Sequence, residues 1–221
     1  MFSRQRMYSR FALFLALTIT LVPTAPAQHA DSSSKNKKPE QHVSPRSAPS
    51  ASAETLYRNP EFGFSYKIRY AWVDRTKEMQ DDSIDPSKSR LLLAVFERPP
   101  QVAGESVNSA VVITAESAAA YPGLKAASDY IGPLTEITTA KGFKADGEPY
   151  EFSVAATNLV RADFVRNVEA VTMYQSSLLL LRKGFVVSFT FIGGSGDEID
   201  ELVERLSFPG KPLKNGASNS H

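Results

Sequence analysis

Residues 183–208 read KGFVVSFTFIGGSGDEIDELVERLSF: an apolar strand, a glycine turn and a short amphipathic helix in one unit. Phe185, Val187, Phe189 and Phe191 alternate with Val186, Ser188 and Thr190, which sends every second large apolar side chain to one face, as a half-buried strand requires. Gly193 and Gly194 break that pattern. Ser195 and Glu198 then stand at capping-box spacing, where hydroxyl and carboxylate each take a backbone N–H that the helix start leaves unpaired. Asp197 and Glu198 also suit the positive end of the helix dipole. Beyond them Ile199, Leu202, Val203 and Leu206 recur at i, i+3, i+4 and i+7, one stripe facing a core, with Asp200, Glu201, Glu204 and Arg205 left to water. This stretch defines a fold and carries no chemistry.

Outward from it, residues 150–155, 159–168 and 171–181 are strand-like, with turn signals at 156–158, 167–170 and 182–184. Residues 90–97 and 107–116 read as two more strands, parted by the turn-rich RPPQVAGES. A helix is expected from Leu124, with Ala127, Tyr130, Ile131, Leu134 and Ile137 near helical spacing, kinked or split at Gly132 and Pro133. At the start, residues 56–59 and 62–68 predict a hairpin around Pro60 and Glu61, and residues 74–89 a polar loop with a helical turn. The order of elements implies an α+β domain: an antiparallel β-sheet of about six to eight strands packed by helices.

The ends differ in composition. Arg4, Arg6 and Arg10, the apolar run 11–22 and the small residues Ala25, Pro26 and Ala27 read as a secretory signal peptide over 1–27. The run is shorter than the ~20 residues a spanning helix needs, so no membrane span is expected after cleavage; a retained anchor is the alternative. Residues 28–53 are rich in Ser, Pro and Lys and read as a disordered linker, either a solvated spacer or a basic tether to an acidic envelope surface; residues 209–221 read as a disordered tail. Residues 54–208 form one domain with sixteen Lys and Arg against twenty-two Asp and Glu, a net charge of −6 hidden in the near-neutral whole. Such a domain has no electrostatic footprint for nucleic acid. The chain has no cysteine, so disulfides are ruled out, and export without them suits a bacterial periplasm or the medium.

Chemistry is sparse. The three histidines, His29, His42 and His221, lie in the linker and tail, which leaves the domain without the imidazole of a Ser-His-Asp triad or a zinc site. Ser-x-x-Lys occurs only in the linker, as at 32–35, and the glycines at 193, 194 and 196 have the wrong spacing for a dinucleotide turn. Asp81, Ser83 and Asp85 have calcium-loop alternation, but Pro86 and Leu92 occupy positions that such a loop gives to other residues, and a solvated acidic loop is the plainer reading. Catalytic residues, metal ligands and cofactors are therefore expected to be absent. Arg161, Asp163 and Arg166, extended by Tyr174 and Arg182 on the next strand, form a candidate binding face, whose plain alternative is a sheet face carrying a cross-strand ion pair. Tyr70 and Trp72, the only tryptophan, are a candidate aromatic contact or a lid on the core edge.

The opening YRNPEFGFSYKIRYAWV and the closing KGFVVSFTFIGGSGDEIDELVERLSF resemble the two ends of the PsbP-like family, named for the extrinsic subunit of photosystem II. The likeness spans most of residues 57–208, with Arg69 and Ala71 standing where the family pattern has proline and glycine. It implies an α-β-α sandwich used mostly for binding proteins or ligands without catalysis; it transfers no functional residue. The expected function is an exported, non-catalytic binding module whose partner is a protein or small ligand of the cell envelope. Two alternatives stand beside it: a carboxylate- or metal-dependent hydrolase, and a structural factor of the envelope acting through the basic linker.

Overall fold

The computed structural model describes residues 55–80, 84–99 and 106–209. The expected signal peptide and linker, the three histidines, nearly all of the tail, and Asp81 and Ser83 of the calcium reading lie outside them. The chain begins with β1 (Thr55–Asn59), β2 (Phe64–Ile68), β3 (Val73–Asp74), α1 (Thr76–Met79), β4 (Ser89–Phe96) and β5 (Ala110–Ser117). A 3₁₀ turn at Ala127–Tyr130 then leads into α2 (Ile131–Ala140), followed by β6 (Lys144–Ala145), β7 (Tyr150–Val154), β8 (Thr157–Val168) and β9 (Val171–Arg182). The quoted unit supplies β10 (Phe185–Gly193), α3 (Gly196–Val203) and β11 (Leu206–Ser207).

Among the described residues the strands form two antiparallel sheets. The main sheet has eight strands in the order β3-β4-β5-β10-β9-β8-β6, with β7 also paired to β8; the small sheet is β1-β2-β11. Tight hairpins set this order. Lys183 and Gly184 both take positive φ, 51° and 75°, the backbone signs of the turn whose twist matches a two-residue hairpin. Ala71, standing where the PsbP-like pattern has glycine, takes φ +63°, a conformation glycine adopts without strain.

Two cores flank the main sheet. On one face lie α3 and the small sheet, with Phe62, Phe64, Tyr66, Phe189, Phe191, Leu202 and Phe208 buried together. The Phe64 and Phe189 rings meet edge to face at 4.9 Å, the geometry that the ring quadrupole favours. On the other face Tyr130 and Leu134 pack over Phe164, Met173, Leu179 and Ile192. Each such side chain removed from water contributes about 1.5–3 kcal/mol.

Four details differ from the periodicity reading. Strand β10 is buried on both faces rather than one, because Val186 and Ile192 join the second core, to which α2 contributes Leu134. Leu206 leaves the helical stripe: α3 ends at Val203, and Leu206 is buried as part of β11, paired with Tyr66. Gly132 and Pro133 neither kink nor split a helix; they fall in the first turn of α2, where a missing N–H loses no intrahelical bond. The capping box is displaced by a residue. Glu198 N–H donates to Ser195 Oγ at 3.2 Å, while the Glu198 carboxylate accepts from Gly194 N–H at 2.8 Å and from Ser109 Oγ at 2.6 Å. A Cβ on Gly193 would stand 3.0 Å from that carboxylate, which explains the glycine.

Candidate functional site

The side chains of β5, β9 and β10 that point toward α2 include an unusual run of polar groups. Register sets Thr114 beside Ser188, Thr190 beside Ser177, and Glu116 beside Ser89. Ser177 is fully buried, and Gln175 and Ser188 nearly so. Gln175 Nε2 donates to Ser177 Oγ at 3.3 Å, and Ser177 Oγ lies 3.4 Å from Thr190 Oγ1. A buried hydroxyl or amide without a partner costs about 1–3 kcal/mol, so this floor is held together by its own network and by what lies above it.

Above it is a cavity of about 110 Å³. Thr114, Gln175, Ser188 and Thr190 form its floor, and Met79, Leu91, Val112, Leu134 and Ile137 its apolar walls. Glu116 and Lys141 bring opposite charges to it. Helix α2 places Leu134, Ile137, Thr138 and Lys141 on one side, because positions three and four apart share a face.

The Glu116 carboxylate is already engaged. The Tyr121 hydroxyl donates a short hydrogen bond to Glu116 Oε2, and the Tyr121 and Tyr130 rings meet edge to face at 5.0 Å. Burial, reinforced by the negative charge of Glu116, pushes both phenols well above their ordinary range. They therefore stay neutral and serve as donors. Lys141, just past the end of α2, is different: burial alone pushes its ammonium below the usual lysine range. No ion pair to Lys141 occurs among the described residues. Nor, among those residues, do three or more Asp or Glu converge to hold a metal ion.

The residues marked from the sequence lie elsewhere. Arg161 is in the first core's margin, beneath α3: its Nε donates to Asp163 Oδ1 at 2.9 Å and its Nη1 to Asp200 Oδ1 at 2.8 Å. Its guanidinium also lies 5.9 Å from the Tyr150 ring and 5.4 Å from the Phe152 ring. With 11% of its side chain exposed, Arg161 is part of a closed network of ion pairs and rings. Tyr174 shares that sheet face and packs half-buried against the same core. Arg182, at the far end of β9, donates from Nη1 to the Phe62 carbonyl at 2.6 Å and holds the turn after β1. Arg166 lies on the opposite face, 5.9 Å from the Phe143 ring, since residues of unlike parity on a strand point apart. Trp72 is half-buried at the edge of the first core with Arg69 5.9 Å from its ring, while Tyr70 is 68% exposed.

The cavity was not marked from the sequence. Its signal is there in retrospect, as Thr114 and Glu116, Gln175 and Ser177, Ser188 and Thr190 each interrupt an otherwise apolar strand face. Strand order is needed to see that the three interruptions adjoin.

No family model and no curated protein matches the chain. Among solved structures, it is similar to cyanobacterial PsbP (CyanoP) from Synechocystis sp. PCC 6803, at 11% identity over 75% of this chain and 99% of that one, with a TM-score of 0.45. It is similar to the Ran-binding protein Mog1p of Saccharomyces cerevisiae at 9% identity, over 71% of this chain and 95% of that one, TM-score 0.43. A Bacteroides thetaiotaomicron protein is similar at 12% identity over 72% of this chain, TM-score 0.39, and this chain spans about half (49%) of its length. Cyanobacterial PsbP bears the name of the family that the two ends of the chain resemble.

Proposed function

We propose that this protein is a non-catalytic binding module of the cell envelope that takes a small amphipathic molecule between α2 and the polar floor of the main sheet. The observation that carries this reading is the floor itself. Thr114, Gln175, Ser188 and Thr190 line the cavity on the side of the sheet, facing Leu134 and Ile137 of α2. A local departure from good core packing is what a binding site requires. A ligand with a polar end and a short apolar body would meet hydroxyls below and Leu134, Ile137 and Leu91 around it. Glu116, capped by the Tyr121 hydroxyl, is placed to hold the floor in shape.

The test is calorimetric titration of the full chain with four- to eight-carbon alcohols, amines and carboxylates, beside a Ser188→Leu variant that fills the cavity. Binding by the natural chain that is lost in the filled variant supports the reading. Equal binding by both, or by neither, overturns it.

A further inference from the structure

We infer that the polar end of the ligand is a carboxylate seated on Lys141, so that the cavity takes a short aliphatic monocarboxylate. This rests on the cavity being the binding site. The argument is one of unmatched charge. Two ionisable groups of opposite sign line the cavity, Glu116 and Lys141. Glu116 already accepts from Tyr121, so a cationic ligand would compete with a bond the fold supplies. The Lys141 backbone N–H donates to the Thr138 carbonyl, but its ammonium makes no ion pair among the described residues, although the residue is half-buried.

A half-buried ammonium without a counter-charge is unfavourable, and an anion at this place relieves it. The carbonyl end of α2 favours the cation only weakly. Lys141 also follows the apolar positions Leu134 and Ile137 on the same helix side, which puts the charge at one end of the apolar wall. Thr114 and Ser188 add hydroxyls to the lining, donors suited to the second oxygen of a carboxylate. Size limits the rest of the ligand. A cavity near 150 Å³ accommodates benzene, so 110 Å³ fits a smaller tail, of about four to five carbons.

The closing experiment compares butanoate, hexanoate and hexan-1-ol by calorimetric titration of the full chain, of Lys141→Met and Lys141→Arg, and of Ser188→Leu, with thermal unfolding of each variant as the control for folding. The carboxylates are expected to bind, and hexan-1-ol about tenfold or more weaker. Lys141→Met should lose about tenfold or more of the hexanoate affinity while its hexan-1-ol affinity stays level, and Lys141→Arg should keep hexanoate binding within a few-fold. If hexan-1-ol binds as tightly as hexanoate, or Lys141→Met binds hexanoate unchanged, the carboxylate assignment fails and the cavity reading stands. If no compound binds, or Ser188→Leu binds hexanoate as the natural chain does, both fail.

Discussion

Removing either acid from Arg161 deletes one hydrogen bond of nearly the same length, yet the two losses are expected to differ severalfold. The bonds measure 2.9 Å to Asp163 and 2.8 Å to Asp200, while 24% of the Asp163 side chain and 62% of the Asp200 side chain are exposed. A hydrogen bond to a charged group shielded from water contributes about 1.5–3 kcal/mol; an exposed ion pair contributes about 0.2–1 kcal/mol. Asp163→Ala leaves the Arg161 Nε–H facing the Tyr150 and Phe152 rings with only a solvent-screened acid nearby, so a loss of about 2 kcal/mol is expected. Asp200→Ala is expected to cost less than about 1 kcal/mol. Urea unfolding followed by circular dichroism measures both, and raising the salt concentration should shrink the Asp200 contribution more than that of Asp163. A double variant, Arg161→Leu with Asp163→Leu, should regain most of the Asp163→Ala loss, since an apolar pair leaves no charge uncompensated. An Asp200→Ala loss equal to or greater than that of Asp163→Ala would refute the reasoning, because burial would then not be what sets the strength of these bonds.

Backbone conformation at two positions gives opposite expectations. Gly63→Ala puts a Cβ at φ +62°, 3.2 Å from Arg182 Nη1, and should lower stability by about 1–2 kcal/mol, visible as a fall in Tm. Ala71→Gly relieves a φ of +63° and should leave stability level or raise it by up to about 1 kcal/mol; a clear loss would show that the conformation there is not strained. A third expectation concerns alkaline pH. Burial pushes the phenols of Tyr66, Tyr121 and Tyr130 far above the ordinary value of 10.0. The stability held in those neutral phenols is fully present below pH 10 and is lost as pH rises beyond it, because the unfolded chain releases protons that the fold retains. Tyrosinate absorbance from these residues should rise together with loss of circular dichroism, and Tyr130→Phe should flatten the decline in stability above pH 10. Ionisation of all three with the fold intact would contradict this.

The ends of the domain were legible because their signals are local. Alternation from Phe185 to Phe191, the glycines, Ser195 and the stripe through Val203 need no partner to be read, and the hairpins at Glu169 and Lys183 fall where turn residues interrupt apolar runs. Parity alone separates Arg166 from Arg161 and Asp163, close as the three are in sequence. The burial of both faces of β10 depends on where α2 lands, which no periodicity within β10 encodes. The cavity is the extreme case: β5 lies next to β10, although some seventy residues separate them in sequence. Lys141 looks like an ordinary solvated lysine until α2 is laid across the sheet.

The pairing of β2 with β11 closes the small sheet with the last strand of the described residues. Ser65 Oγ and Ser207 Oγ lie 2.9 Å apart across 142 residues of chain, Lys67 N–H donates to the Arg205 carbonyl at 3.1 Å, and Tyr66 Oη–H donates to the Leu202 carbonyl at 3.2 Å. A contact of such sequence separation must meet its loop-closure entropy before it forms, which favours its forming late. It also imposes an order in time. A chain delivered from its N-terminus, by a ribosome or through a pore, has the β1–β2 hairpin ready long before α3 and β11 exist to cover it. Until then Phe64, Tyr66 and Phe189 remain without Phe208 and Leu202, and the aromatic half of the molecule is open to whatever else binds exposed rings. Delivery of residues 196–208 is thus the event that commits this part of the fold to its native state.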